Sequence, residues 1–241
     1  MKRQFPGILA LFSVLLVMSF PAAATWSIVA VDPQTREVGG ASATCTPYAW
    51  AIFAPVPDKG IIVTQAASNG AARRKGAALI SQNVAPDEII ATITAPEFDP
   101  RHMDQQHGIA TLRNEAATAG YTGDNNGRVA ADLQGELVSV QGNILTSTKV
   151  VSSALAAFRN ASKNPANNLA DRLLAALEAG SAEGGDRRCG DQTAVSAYLI
   201  VVKPMEDPET PRLKISVPLQ YRYSVNAVKK LREEYDALYG R

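Results

Sequence analysis

The order of strand-like and helix-like segments limits this chain to a layered fold more strongly than any other feature of its sequence. Alternating or short apolar runs bounded by turn residues predict strands over 25–31, 38–45, 60–66, 108–112, 116–121, 138–141, 192–202 and 213–217. Helical periodicity predicts helices over 71–82, 86–93, 149–160, 169–179 and 224–239. Strands adjacent in sequence favour antiparallel pairing, and paired helices need sheet faces to cover. The pattern therefore predicts an α+β sandwich with the sheets inside and the helices outside.

The first 24 residues have the pattern of a secretory signal peptide. A basic start, an apolar run over 9–20 and small residues at Ala22 and Ala24 predict cleavage after Ala24. We therefore expect a mature chain that begins at Thr25 and is exported, to the periplasm or the extracellular space. An uncleaved N-terminal anchor is the alternative reading.

Composition excludes several classes of function. The remaining residues, 25–241, suit a single domain, and no later segment resembles a membrane span. The 24 Lys and Arg nearly balance the 23 Asp and Glu, so a nucleic-acid partner is not indicated. The two histidines, His102 and His107, lack the spacing of a zinc site, and no nucleotide-binding or serine-hydrolase motif occurs. We expect no cofactor and no metal.

The chain has two cysteines, Cys45 and Cys189. In an exported protein a pair of this kind is most simply a disulfide, which would close a long loop and stabilise the fold by restricting the unfolded chain. Two separately buried thiols are the alternative.

A threonine at a new amino terminus is a candidate nucleophile. A hydroxyl is weakly nucleophilic unless a nearby base takes its proton, and a terminal threonine carries that base as its own α-amine. The amine has an ordinary pKa of about 7.7 to 8.0, so part of it is neutral at pH 7. Thr25 also begins the first predicted strand with no spacer, which would hold it rigidly. An incidental residue after a cleavage site is the simpler reading.

Several segments in order resemble the family known as domain of unknown function 1028, DUF1028. They are 25–33, 63–69, 122–123, 140–145, 173–180 and 184–188, and the resemblance extends from residue 25 to about 240. It implies the fold of the N-terminal nucleophile hydrolases, a four-layer αββα sandwich. The sequence departs from the family where Tyr121 replaces a frequent histidine and Cys189 a common glycine.

Polar residues near the ends of predicted strands are candidates for the rest of a site. Asn143, on a Gly-Asn turn, could donate to an oxyanion or could simply tolerate the turn. Gln65 and Asn69 could contact a substrate or anchor loops. Asp186 could hold the Thr25 ammonium and Arg187 a substrate carboxylate, whereas an Asp–Arg pair that braces the loop is the simpler reading.

We therefore expect an exported hydrolase that cleaves an amide bond of a small-molecule or peptide substrate, with Thr25 as nucleophile and its α-amine as base. The alternative is a catalytically inactive binding module of the cell envelope on the same fold, holding a peptide or a cell-wall fragment. A homo-oligomer is left open.

Overall fold

This computed structural model describes residues 25–113, 117–221 and 224–240, which contain ten strands and five α-helices. The predicted signal peptide, 1–24, lies outside them. The strands are β1 (Thr25–Val31), β2 (Val38–Thr44), β3 (Phe53–Val56), β4 (Gly60–Ala66), β5 (Gln105–Thr111), β6 (Ala117–Thr122), β7 (Ala131–Gln134), β8 (Val138–Asn143), β9 (Ser196–Val202) and β10 (Leu213–Val217). The helices are α1 (Gly70–Ser81), α2 (Pro86–Ile93), α3 (Lys149–Ala161), α4 (Leu169–Ala182) and α5 (Ala227–Tyr239).

The strands form two antiparallel sheets that pack face to face. One sheet has the order β10-β9-β2-β1-β8-β7, and the other has the order β3-β4-β5-β6. Helices α3, α4 and α5 cover the outer face of the six-stranded sheet, and α1 and α2 cover the outer face of the four-stranded sheet. This is the four-layer αββα sandwich that the resemblance implied, and the predicted α+β fold class is confirmed.

The two-residue period of β1 explains why this strand lies at the centre of the molecule. Trp26 and Ile28 point to the core beneath α3 and α4, whereas Val29 and Val31 point to the core between the sheets. All seven residues of β1 are buried because the strand has a neighbour on each side and a layer on each face. Thr25 precedes Val29 by four residues, an even number, so its side chain lies on the same face of β1 and faces the gap between the sheets.

Helix ends depart from the sequence prediction in two places. Gly180 does not end α4; the helix continues to Ala182, and the glycine lies inside it because a Cβ there would come within 2.7 Å of Trp26 Nε1. Asn226, not Ser224, caps α5 by accepting from the Val228 N–H. No helix in the described part of the chain combines the length and the apolar character needed to cross a bilayer.

Candidate functional site

Thr25 lies between two strands at one end of the sandwich. Its cross-strand neighbours are Thr44 on β2 and Asn143 on β8. It is 3% exposed. The antiparallel register pairs Thr25 on both sides, so its backbone is held by the sheet.

The layer between the sheets changes from apolar to polar along β1. Around Val29 and Val31 the neighbouring side chains are aliphatic. Around Thr25 and Ser27 they are buried hydroxyl and amide groups, contributed by the inward positions of β2, β4, β5 and β8. Buried polar groups are costly unless they are hydrogen-bonded. The polar end is therefore organised by the bonds that its side chains make with one another.

Gln65 joins β4 to β1 across the gap. Its Oε1 accepts from Ser27 Oγ at 2.6 Å, and its Nε2 donates to the main-chain oxygen of Thr25 at 3.2 Å. Gln141 Nε2 donates to the same Ser27 hydroxyl at 2.6 Å. These bonds tie the start of β1 to the opposite sheet.

Gln106, on β5, is the centre of the network. Its Oε1 accepts from Gln65 Nε2 at 2.7 Å and from Asn143 Nδ2 at 3.1 Å. Its Nε2 lies 3.1 Å from the main-chain oxygen of Ala131 and 3.0 Å from that of Gly142. One buried side chain of the four-stranded sheet therefore bonds to two strands of the six-stranded sheet.

These two carbonyl groups decide how the amide side chains are turned. A carbonyl oxygen can only accept, so Gln106 must present its NH₂ group to the carbonyls and its oxygen to the other side. Asn143 must then present its NH₂ group to Gln106. Asn143 Oδ1 is left buried and without a hydrogen-bond partner among the described residues. The Asn143 atom without a partner is thus an acceptor. Its NH₂ group, which could donate to an oxyanion, is bonded to Gln106.

Asp186 lies just beyond the start of β1, between the strands that flank it. Its main chain bridges Leu145, two residues after β8, and its Oδ2 accepts from the N–H of Cys45, directly after β2, at 2.7 Å. The carboxylate is fully buried and forms an ion pair with Arg188 at 2.7 Å. A carboxylate–guanidinium pair therefore lies beyond Thr25, between the ends of β2 and β8.

Glycine and a disulfide hold this segment in place. Gly185 has a φ of +51°, and a Cβ there would come within 2.7 Å of the Trp26 ring, so the turn after α4 requires glycine. Cys189 is bonded to Cys45 with a Cα–Cα distance of 5.7 Å, as the disulfide prediction requires. Arg187, the arginine assigned to a substrate, is exposed, and it is Arg188 that binds Asp186.

Asn69 has a local role in the structure. Its Oδ1 caps α1 by accepting from the N–H groups of Ala71 and Ala72, and its Nδ2 donates to Asp99. These bonds account for the side chain without a ligand. Its assignment to substrate binding stays a prediction, whereas Gln65 lies in direct contact with Thr25.

A second buried polar group, which the sequence did not single out, lies on the other face of the four-stranded sheet. His107 is fully buried there, and neither ring nitrogen has a partner within the described ranges. Burial lowers its pKa to about 4, with the charge of Asp99 acting in the opposite direction. Its ring stacks on Tyr121 at 5.9 Å, and the Tyr121 hydroxyl lies 2.8 Å from His102 Nδ1. Tyr121 packs beneath α1 and α2. A histidine at position 121 would therefore lie on the opposite face of this sheet from Thr25.

Thr25 belongs to no metal-binding cluster in the described part of the chain, and it lines none of three cavities described below. Within the described ranges, no three His, Cys, Asp or Glu side chains lie close enough together to hold a metal ion. Three cavities lined by described residues have volumes of about 760, 300 and 560 Å³, and Thr25 lines none of them.

Comparison with known proteins gives the family. Residues 25–223 match the family of unknown function DUF1028. The chain belongs to this family. No curated protein matches it.

Among solved structures, this DUF1028 protein is similar to the crystal structure of protein SPO2555 from Silicibacter pomeroyi, which belongs to the same family. The TM-score is 0.71 and the identity 23%, over 89% of this chain and 88% of that one. Eukaryotic HslV from Trypanosoma brucei is similar with a TM-score of 0.45 and 11% identity, over 74% of this chain and 99% of the HslV chain.

Three of the segments that carry the DUF1028 resemblance meet around Thr25. The start of β1, the Gln141-Gly142-Asn143 block and the 184–188 block are far apart in sequence, and the pairing of β1 with β8 and of Leu145 with Asp186 brings them together. Ser27, in the first of these segments, also belongs to the network. Gln106 completes the network but lies in none of the segments, and its only sequence signal is a polar residue at an inward position of a buried strand.

Proposed function

We propose that this DUF1028 protein is an exported, single-domain hydrolase in which cleavage after Ala24 exposes Thr25 as the N-terminal nucleophile for an amide bond. One observation supports this most strongly: a buried acceptor that no described residue bonds to, Asn143 Oδ1, belongs to the residue opposite Thr25. A chain that begins at Thr25 gains an amine with hydrogen-bond donors at that position. The buried carboxylate of Asp186, beyond the strand start, attracts the same amine when it is protonated.

The proposed reaction needs no group besides Thr25 and water. The neutral α-amine takes the hydroxyl proton as Thr25 Oγ attacks the carbonyl carbon, and the C–N bond then breaks as the amine returns the proton to the leaving nitrogen. An ester to Thr25 remains. Water adds to this ester with the amine again as base, the C–O bond breaks, and the proton returns to Thr25 Oγ.

The surrounding residues orient the nucleophile in this proposal. Asn143 accepts from the amine and directs it towards the hydroxyl, and Gln65 fixes the main chain of Thr25. Arg188 limits the negative charge at Asp186, so the ammonium is not held so tightly that the base is lost. Arg187, on the exposed side of the same segment, is available to a substrate carboxylate.

The experiment compares three forms of the exported chain: one that begins at Thr25, one that keeps Ala24, and a Thr25→Ala variant. Each is treated with a β-lactone acylating probe and analysed by intact mass and peptide mapping. We expect the probe on Thr25 in the first form alone, because the second keeps the hydroxyl but has lost the free amine. Equal labelling of all three forms, or a natural mature chain that begins elsewhere, would contradict the proposal.

A second candidate function, an inactive binding module, is favoured by one observation. Thr25 is 3% exposed, and the largest of the three cavities lies elsewhere, against Trp50 and Tyr198. The same probe experiment separates the two functions, because a module leaves Thr25 unlabelled and binds its ligand equally well with Thr25→Ala.

A further inference from the structure

A groove lies at the side of the sandwich where the two sheets end next to each other. It is bounded by the edge strand β3 of one sheet, by β9 and β10 of the other, and by α1, and its volume is about 760 Å³. Cavities that take small molecules commonly measure about 300 to 1,000 Å³. The groove is therefore large enough for a small ligand or for one or two residues of a peptide.

The groove carries more positive charge than negative. Arg73 and Arg74 on α1 and Lys214 on β10 line it, against one carboxylate, that of Glu209. Within the described part of the chain, none of these three cations forms an ion pair with a carboxylate. Arg73 donates to the hydroxyl groups of Thr64 and Ser68, and Lys214 Nζ donates to the main-chain oxygen of Glu209 at 2.5 Å. Two adjacent arginines without a counter-ion form a site for an anion.

The partial burial of Arg73 also favours an anion beside it. Its pKa is lowered, first by burial and then by the charge of Arg74. An anion placed between the two guanidinium groups would relieve both effects.

The opposite wall of the groove is aromatic. The rings of Phe53 and Tyr198 stack with their centroids 5.8 Å apart. Trp50 is 55% exposed, at the end of the loop that follows Cys45. Burial raises the pKa of Tyr198 to about 12, with Glu209 adding to the effect, so its hydroxyl stays neutral at physiological pH. Aromatic side chains of this kind offer a stacking surface to a planar or apolar group.

We propose that this groove binds a small carboxylic acid that carries an aromatic or bulky apolar group. The carboxylate lies against Arg73 and Arg74, and the apolar group lies against Trp50, Phe53 and Tyr198. A monoanion fits better than a dianion such as phosphate, because Glu209 would repel the second charge. The proposal does not depend on the chemistry of Thr25.

Strand β2 separates the groove from β1. Tyr198 pairs with Ser42, and Ser42 pairs with Ser27, so the backbone of Tyr198 is two strands, roughly 10 Å, from that of Ser27.

The test measures binding of N-acetylphenylalanine and of its neutral amide, N-acetylphenylalaninamide, to the exported chain by calorimetry and by tryptophan fluorescence. The fluorescence change reports on Trp50, because the only other tryptophan, Trp26, is fully buried beneath α4. Arg74→Gln is the test variant. Lys75→Gln is its matched control, because Lys75 is exposed on the same helix and does not line the groove.

We expect the acid to bind at least about tenfold more tightly than the amide. Arg74→Gln should weaken binding of the acid by about tenfold, which is the effect of losing one charge-assisted hydrogen bond. Lys75→Gln should change binding less than about twofold. Thr25→Ala should bind the acid like the natural chain, so failure of the hydrolase proposal would leave this result intact. No binding of the acid, equal binding of acid and amide, equal effects of the two variants, or tighter binding of inorganic phosphate than of the acid would each overturn the proposal.

Discussion

His107 is the residue for which burial has the clearest electrostatic consequence. The ring is fully enclosed between the four-stranded sheet and α1 and α2, and its pKa is lowered to about 4 from an ordinary value of 6.5. The charged groups close to it are few: Asp99 favours the charged form, and Tyr121, stacked on the ring, is neutral. Between these two pKa values the unfolded chain carries a proton on this residue that the folded chain does not.

We predict that the free energy of unfolding falls as the pH drops below 6.5, because protonation then favours the unfolded chain. Between pH 7.5 and 4.5 this one residue should account for a loss of about 2 to 3 kcal/mol. His107→Phe keeps a ring against Tyr121 but cannot be protonated, so its urea-unfolding curves should lose that part of the pH dependence. His102→Gln is the control, and it should keep the dependence. An identical pH dependence in His107→Phe and the natural chain would show that burial does not shift this histidine.

Asn143 offers a residue-scale test of the proposed nucleophile. A hydrogen bond from the ammonium to Oδ1 favours the charged amine, so removal of that acceptor should lower the pKa of the amine. With Asn143→Ala we expect the pH midpoint of probe labelling at Thr25 to move down by about half a unit or more, and the highest rate to fall about tenfold. A structural role alone would not move the midpoint.

Ser139→Ala is the matched control for that experiment. Ser139 is buried on the same face of β8, bonds to Gln141 at 3.0 Å, and lies opposite Val29 rather than Thr25. It should leave the midpoint unchanged. If both variants shift the pH midpoint of labelling equally, Asn143 does not accept a hydrogen bond from the Thr25 amine.

At the scale of the elements, Gln106 is a polar link between the two sheets. The side chain leaves β5 and bonds to the main chain of β7 and β8, and through Gln65 it reaches β1. Gly108, two residues along β5, makes room for the next side chain of the network, since a Cβ there would lie 2.0 Å from Gln141 Oε1. The sheets are therefore matched by side-chain size as well as by hydrogen bonds.

We predict that Gln106→Glu lowers the free energy of unfolding by at least about 3 kcal/mol at pH 7, because a buried carboxylate would face two carbonyl oxygens. The difference from the natural chain should shrink at pH 4.5, where the neutral acid can donate to one of them. Gln82→Glu, at the exposed end of α1, is the control and should change stability by less than about 0.5 kcal/mol. A variant as stable as this control would mean that Gln106 is hydrated instead of bonded to the sheet.

The sequence could predict elements whose residues carry a local period. The sequence places helices α3 and α4 within a few residues because their apolar stripes are local. Strands β3 and β7 are absent from the sequence prediction because each has only four residues at a sheet edge and none of these residues is buried, so neither strand carries a clear apolar pattern. The predicted strand over 192–202 begins only at Ser196, because residues before it form a short 3₁₀ turn around the disulfide.

The candidate site was predictable only in part for the same reason. Thr25 and Asn143 were each proposed from local sequence, but their position opposite one another depends on the register of β1 and β8. Gln106 was missed because no local pattern tells which face of a buried strand meets the other sheet. The sequence prediction assigns Asn69 to ligand binding, whereas in the structure this side chain caps α1, a role that local sequence could also have indicated.

At the scale of the whole molecule, one covalent link closes most of the chain. Cys45 and Cys189 are 144 residues apart, and the loop between them includes six of the ten described strands, β3 to β8, and four of the five described α-helices, α1 to α4. A loop of this size restricts the unfolded chain strongly, by about 5 kcal/mol in the chain-entropy model. That is a large fraction of the stability of a typical domain, about 5 to 15 kcal/mol.

We predict that Cys45→Ser with Cys189→Ser lowers the free energy of unfolding by about 3 to 5 kcal/mol, measured by urea denaturation, and that reductant does the same to the natural chain but nothing further to the variant. Labelling of Thr25 in the folded variant should fall less than tenfold, because Asp186 keeps its bonds to the Cys45 main chain and to Arg188. An unchanged urea midpoint in the double variant would show that the disulfide does not stabilise the fold by restricting the unfolded chain. A complete loss of labelling with the fold intact would instead make the disulfide part of the site, since only its hold on the segment of Asp186 would then explain the activity.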